Sequence, residues 1–147
     1  MAMHIQYPVL TVPKTPVNPT LKVVDLEKET LENDNFRVVV DTLPGEVQLV
    51  MMSIVDEIPR EIHPHITQFL RVEGGRIRLT VGATPSADEQ RDKVYILEQG
   101  QSVSVPKNVF HRIENISDEN MPAKIYTLYF PPNHPADRID RVRPADD

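Results

Sequence analysis

From Phe36 to Phe130 the chain runs almost entirely in short, β-branched, alternating stretches, each closed by glycine, proline or a polar turn. "FRVVVDT" ends at Pro44-Gly45, and "EVQLVMMSIV" and "REIHPHITQFLRV" follow before the Gly74-Gly75 turn. "RIRLTVG" then alternates cleanly at Ile77, Leu79 and Val81, and "KVYILE", "QSVSVP", "FHRIENI" and "AKIYTLYF" continue the pattern. Period-two hydrophobicity in segments this short cannot build helices. It predicts an all-β fold, an antiparallel sandwich or barrel. Only "DLEKETLEN" (25–33) reads as a short helix or turn, and the polar "ATPSADEQRD" (83–92) reads as a surface loop.

The flanks differ in kind. Pro8, Pro13, Pro16 and Pro19 crowd the first twenty residues, which suits an extended arm better than a helix. After Phe130, "PPNHPADRIDRVRPADD" mixes proline with alternating charge and reads as a solvated arm. The expected organisation is an N-terminal arm with its short helix or turn over 1–31, a strand-rich unit over 32–135, and a charged tail over 136–147.

With 147 residues the chain is long enough for one domain with a real core. Its 16 basic and 22 acidic side chains leave a net charge of −6, which argues against nucleic acid or an anionic membrane surface as partner. No apolar run approaches the roughly 20 residues of a membrane span, and the first residues lack the layout of a secretory signal. The absence of cysteine removes disulfides and thiol chemistry and permits a reducing compartment. A cytoplasmic protein is expected.

Five histidines occur, and two of them stand in "EIPREIHPHITQFLRVEGG" (57–75), where Glu61, His63 and His65 take alternate positions and Gln68 follows. This is either a polar strand or half of a metal site. A site built on strands needs donors from several of them, because each strand offers only every second residue to one face. The remaining histidine of the strand-rich region, His111, lies in "GQSVSVPKNVFHRIEN" (100–115).

That second stretch resembles the second sequence motif of the cupin superfamily, G-x5-P-x-G-x2-H-x3-N, with Gly100, Pro106, His111 and Asn115 in place. Asn108 replaces the middle glycine, and asparagine tolerates the left-handed backbone such a turn uses. The earlier stretch resembles the first cupin motif, G-x5-H-x-H-x3-4-E-x6-G, whose end fits Gln68 and Gly75. Two registers are open at its start. His63 and His65 can fill the histidine pair, leaving too few residues before Gln68; or Glu61 and His63 fill it, with the spacing the motif allows. Val55 or Glu57 stands at the first glycine. The usual three-histidine, one-glutamate set brings one negative charge. Glu61, His63, Gln68 and His111 also bring one, with the carboxylate moved, whereas His63, His65, Gln68 and His111 bring none to a dication in a low-dielectric interior. The Glu61 register is favoured.

"ENDNFRVVVDT", "LVMMSIV", "EIHPHITQFLRVEGG" and "IYTLYFPPNHP" extend the resemblance over Glu32 to Pro135, towards small single-domain bacterial cupins labelled mannose-6-phosphate isomerase-like. It implies a double-stranded β-helix (jelly-roll) barrel and a homodimer. It further implies one divalent transition metal held by Glu61, His63, Gln68 and His111. Imidazole, carboxylate and amide donors suit Mn, Fe, Ni, Co or Zn. His65 is then the nearby acid–base candidate. The expected function is Lewis-acid isomerisation-type chemistry on an oxygen-rich small molecule such as a sugar, hydroxy-ketone or keto acid. An Fe(II)-dependent dioxygenase and a non-catalytic sugar- or small-molecule-binding module are the alternatives.

Against these roles, Glu61 can be a solvent-facing carboxylate beside Arg60. His4 and His134 read as solvated residues of the arms. Asn115 reads as fixing a turn, Met51-Met52 as core filling, and alternation leaves open whether Tyr126 or Tyr129 faces a cavity.

Overall fold

The computed structural model describes residues 20–145. The proline-rich stretch 1–19, with His4, and residues 146–147 lie outside the described residues. The short helix forms as α1 (Leu26–Glu32). Ten strands follow: β1 (Arg37–Leu43), β2 (Val47–Ile54), β3 (Glu57–Ile62), β4 (Thr67–Gly74), β5 (Arg76–Gly82), β6 (Lys93–Glu98), β7 (Ser102–Val105), β8 (Phe110–Asn115), β9 (Ala123–Phe130) and β10 (Ile139–Asp140). They form two sheets, ordered β10-β1-β2-β9-β4-β7 and β3-β8-β5-β6. Every pairing is antiparallel, as in a jelly-roll barrel. Among the described residues no helix is long and apolar enough to cross a membrane.

The inward faces read off the alternation. Val50, Met52, Ile54, Leu70, Val72 and Ile125 of the larger sheet meet Ile58, Ile77, Leu79 and Ile113 of the smaller one, all in one buried cluster. Burying side chains of this size is worth roughly 1.5–3 kcal/mol each before the cost of ordering them.

Two features differ from the sequence reading. The run "REIHPHITQFLRV" is not one strand: it breaks after Ile62, and β3 and β4 belong to different sheets. Pro64 sits at the break, where the missing N–H ends the ladder. The C-terminal tail is not simply a solvated arm. Ile139–Asp140 adds a strand to the edge of β1, and the buried Arg37 pairs with Asp140 at 2.6 Å. Arg138 and Arg141 carbonyls accept the N–H groups of Val39 and Phe36, satisfying an edge that would otherwise stay open.

Candidate metal centre

β3 and β8 lie side by side at one edge of the smaller sheet, with Glu61 directly opposite His111. Simple alternation along β3 would send Glu61 outward. Ile58 faces the core opposite Ile113, and Glu61 is three positions on, an odd step. A bulge between Ile58 and Glu61 resolves this. The three-residue step on β3 spans only the two-residue step from Ile113 to His111 on β8. The additional residue shifts the parity, so Glu61 joins His111 on the inner face. His63, just past the end of β3, keeps the same parity. Its carbonyl accepts the N–H of Asn108 at 3.1 Å, which ties the two histidine-bearing segments together. Asn108 itself has φ 65°, the left-handed turn that its place in the motif requires.

The result is a cluster of Glu61, His63 and His111 whose potential ligand atoms all lie within 4.8 Å of one another. Glu61 Oε1 is 3.2 Å from His63 Nε2 and 3.4 Å from His111 Nε2. The two rings are 5.1 Å apart, centroid to centroid. Neither Nε2 makes a hydrogen bond, and both are buried. His111 Nδ1 lies 3.2 Å from the Val109 carbonyl, which can only accept, so Nδ1 carries an N–H and Nε2 is the atom turned towards the cluster.

Burial by itself would raise the Glu61 carboxyl; the approach of His111 and then His63 outweighs it and holds the group lowered to about 2. Since 37% of the Glu61 side chain remains open to solvent, water screens part of both effects. At neutral pH the cluster therefore holds one carboxylate between two imidazoles.

Gln68 comes from the other sheet. On β4 it stands opposite Tyr129 of β9, and cross-strand partners share a face. Tyr129 packs edge-on against His63 at 5.8 Å, so that face is the barrel interior. Gln68 is 2% exposed; its amide donates to Thr127 Oγ1 at 3.0 Å, and Thr127 in turn donates to the Phe69 carbonyl. Its Oε1 is buried with no hydrogen-bond partner.

His65 is placed differently. It lies in the exposed turn between β3 and β4, outside the three-residue cluster. Tyr129, not Tyr126, faces inward, which the alternation of β9 alone left open. His134 is not solvated as expected from the tail's composition. It is half-buried with its ring 5.4 Å from Tyr129, and Gln48 holds its backbone. The fully buried Gln48 accepts the N–H groups of Asn133 and His134 and donates to the His134 carbonyl. No local signal marks such a contact, because it joins residues 86 apart in sequence. Asn115 fixes a turn: its amide donates to the Val55 and Met121 carbonyls, and its Oδ1 accepts from the Ser117 N–H.

Known proteins resemble this chain in sequence and in fold. The family described as "Cupin domain" matches residues 48–134. The uncharacterised protein L612 of Acanthamoeba polyphaga mimivirus is 36% identical over 124 residues, covering 83% of this chain and 72% of its own. The uncharacterised protein YrkC of Bacillus subtilis is 34% identical over 122 residues, 82% of this chain, and the chain spans only 63% of that protein's length. The crystal structure of BH2720 from Bacillus halodurans superposes with a TM-score of 0.75 at 32% identity, covering 84% of this chain and 91% of that one. With the family matched over more than half its length and the jelly-roll built as described, the chain belongs to the cupin family.

Proposed function

We propose that the chain is a metal-binding cupin in which Glu61, His63, Gln68 and His111 hold one divalent transition ion. The observation that carries this is the set of orphaned buried donors. His63 Nε2, His111 Nε2 and Gln68 Oε1 are all shut away from water without a hydrogen bond, and the first two flank an ionised carboxylate. Leaving a buried polar atom unpaired costs about 1–3 kcal/mol, and three such costs in one barrel interior call for a partner. The donor chemistry fits Mn, Fe, Ni, Co or Zn: two imidazoles, one carboxylate and one amide oxygen, with no thiolate.

When bound, such an ion supplies Lewis acidity to a substrate carbonyl or hydroxyl. The chain's residues supply the rest. Glu61 offsets one unit of charge, the Val109 carbonyl fixes the His111 tautomer, and Thr127 orients the Gln68 amide so that its oxygen stays free. Tyr129 stands edge-on beside His63 and limits how that ring can turn. This arrangement suits a small, oxygen-rich substrate with adjacent oxygens, turned over by isomerisation-type chemistry. His65 stays outside the ligand set, exposed in its turn.

Plasma mass spectrometry of the untagged protein tests the reading. Near-stoichiometric metal is expected in wild type and in His65→Ala, with loss in Glu61→Ala and His111→Ala. Wild-type protein that takes up no divalent ion after reconstitution would sink it.

A further inference from the structure

We propose that Arg60, Asp92 and Gly82 form a clamp on the outer face of the smaller sheet that fixes the register of β3 and so holds Glu61 against His63 and His111. The proposal rests on the metal-centre reading for one of its two readouts only.

The bulge that aims Glu61 inward is a liability where it stands. Among the described residues β3 is an edge strand whose only ladder is the one with β8, and that ladder is interrupted at the bulge. A slip of one residue would turn Glu61 to solvent and bring Arg60 and Ile62 inward. Something must make the observed register the preferred one.

Arg60, inside the bulge, is placed to do so. Its side chain is only 10% exposed although it is charged. The guanidinium crosses the Phe110 ring of β8 at 5.8 Å and reaches the segment that follows β5. There Nη1 and Nη2 donate to the two Asp92 carboxylate oxygens at 2.8 and 3.2 Å, while Nε and Nη2 donate to the Thr84 carbonyl at 3.0 and 2.8 Å. Asp92 is equally enclosed, at 5% exposed, and also accepts the Asp88 N–H, so the 83–92 loop closes around the carboxylate. The Arg60 hydrogen bonds hold the Asp92 carboxyl below its ordinary value.

Gly82 completes the fit. It stands opposite Phe110, and a Cβ there would collide with both Asp92 Oδ1 and Arg60 Nη2. The clamp thus spans β3, β8 and the end of β5 from outside. Glu61 and His111 face inward from two of those strands. An enclosed two-pronged ion pair adds little net stability over an apolar filling, and its best-attested use is to specify register.

The experiment measures Zn²⁺ affinity by competition with a chromophoric chelator, together with imidazole ¹⁵N spectra of the metal-free proteins. The variants are Arg60→Ala, Arg60→Lys, Gly82→Ala, Glu61→Ala, the Arg60→Ala/Glu61→Ala double and Arg112→Ala. Arg112 is the control: it stands on β8 opposite the bulge and pairs with Glu57 near the start of β3, a second ion pair across the same two strands. Arg60→Ala and Gly82→Ala are expected to weaken Zn²⁺ binding about tenfold or more, the usual cost of losing a group that orients a ligand. Arg112→Ala should leave it unchanged, and Arg60→Ala should add nothing once Glu61 is gone. The His63 and His111 ring signals should move in Arg60→Ala in the direction they move in Glu61→Ala.

Equal effects of Arg60→Ala and Arg112→Ala, or a loss that persists without Glu61, would overturn the clamp. If wild type binds no Zn²⁺, the metal reading fails and the imidazole spectra decide the clamp alone. Should Arg60→Ala not fold, Arg60→Lys carries the same comparison, since it keeps the charge but loses the fork.

Discussion

His111 combines three constraints in one side chain. It is 1% exposed, its Nδ1 position is set by the Val109 carbonyl, and its Nε2 lies among the other donors. Its replacement by alanine should both abolish metal uptake and open a cavity, whereas His65→Ala at the exposed turn should do neither. Metal analysis and urea unfolding separate the two. Glu61 carries a pH signature. Its folded value, about 2, lies below its ordinary 4.5, so it contributes stability above pH 4.5 that is lost as pH falls towards 2. Metal-free wild type should therefore lose stability more steeply across that window than Glu61→Gln, as followed by urea midpoints at half-unit pH steps. Parallel slopes would mean that the two imidazoles do not favour the carboxylate. Above about pH 3 the carboxylate stays charged, so any release of metal between pH 5 and 7 belongs to other donors.

At the scale of elements, the turns and the bulge hold the donors in place more than the strand interiors do. The β4–β5 turn places Gly75 at φ 77°, and an added Cβ would meet Ser117 Oγ and lie 3.1 Å from the Pro122 carbonyl and 3.2 Å from Ala123 Cα. Ser117 Oγ also accepts the Arg76 N–H at 2.9 Å, so it has little freedom to retreat. Gly75→Ala should destabilise the protein by about 1–3 kcal/mol, the usual cost of a forced backbone conformation. The urea midpoint should fall with no change in slope. Gly100, also at positive φ, has open space around its Cβ position and should show the backbone cost alone. Such turns were legible in advance, as was Asn108 standing in for glycine. The β3 bulge was not, because no residue type marks where a ladder takes in an extra residue.

For the whole molecule, Glu61, His63 and His111 cluster at the β3–β8 edge of the smaller sheet, and Gln68 stands on the inner face of the larger one. An ion held between them should act as a fastener across the barrel. By mass action, Zn²⁺ at a hundredfold excess over its dissociation constant should stabilise wild type by about 2.7 kcal/mol. The same addition should leave His111→Ala unmoved in a thermal melt. A shift of equal size in both would mean the ion binds elsewhere.

The amino-acid order by itself determined the things that depend on neighbours. Period-two alternation gave the strands from Phe36 to Phe130, and glycine and proline gave most of their ends. The resemblance of two short stretches to the cupin motifs pointed to Glu61, His63, Gln68 and His111 as one set. Tertiary structure decided the rest: that "REIHPHITQFLRV" divides between two sheets, that Glu61 turns inward while His65 does not, that Tyr129 faces His63, and that the tail returns as β10 against β1. The division has a physical cause. Alternation is a property of one strand, but the face a residue takes depends on register against a partner far away in sequence, and a single extra residue reverses it.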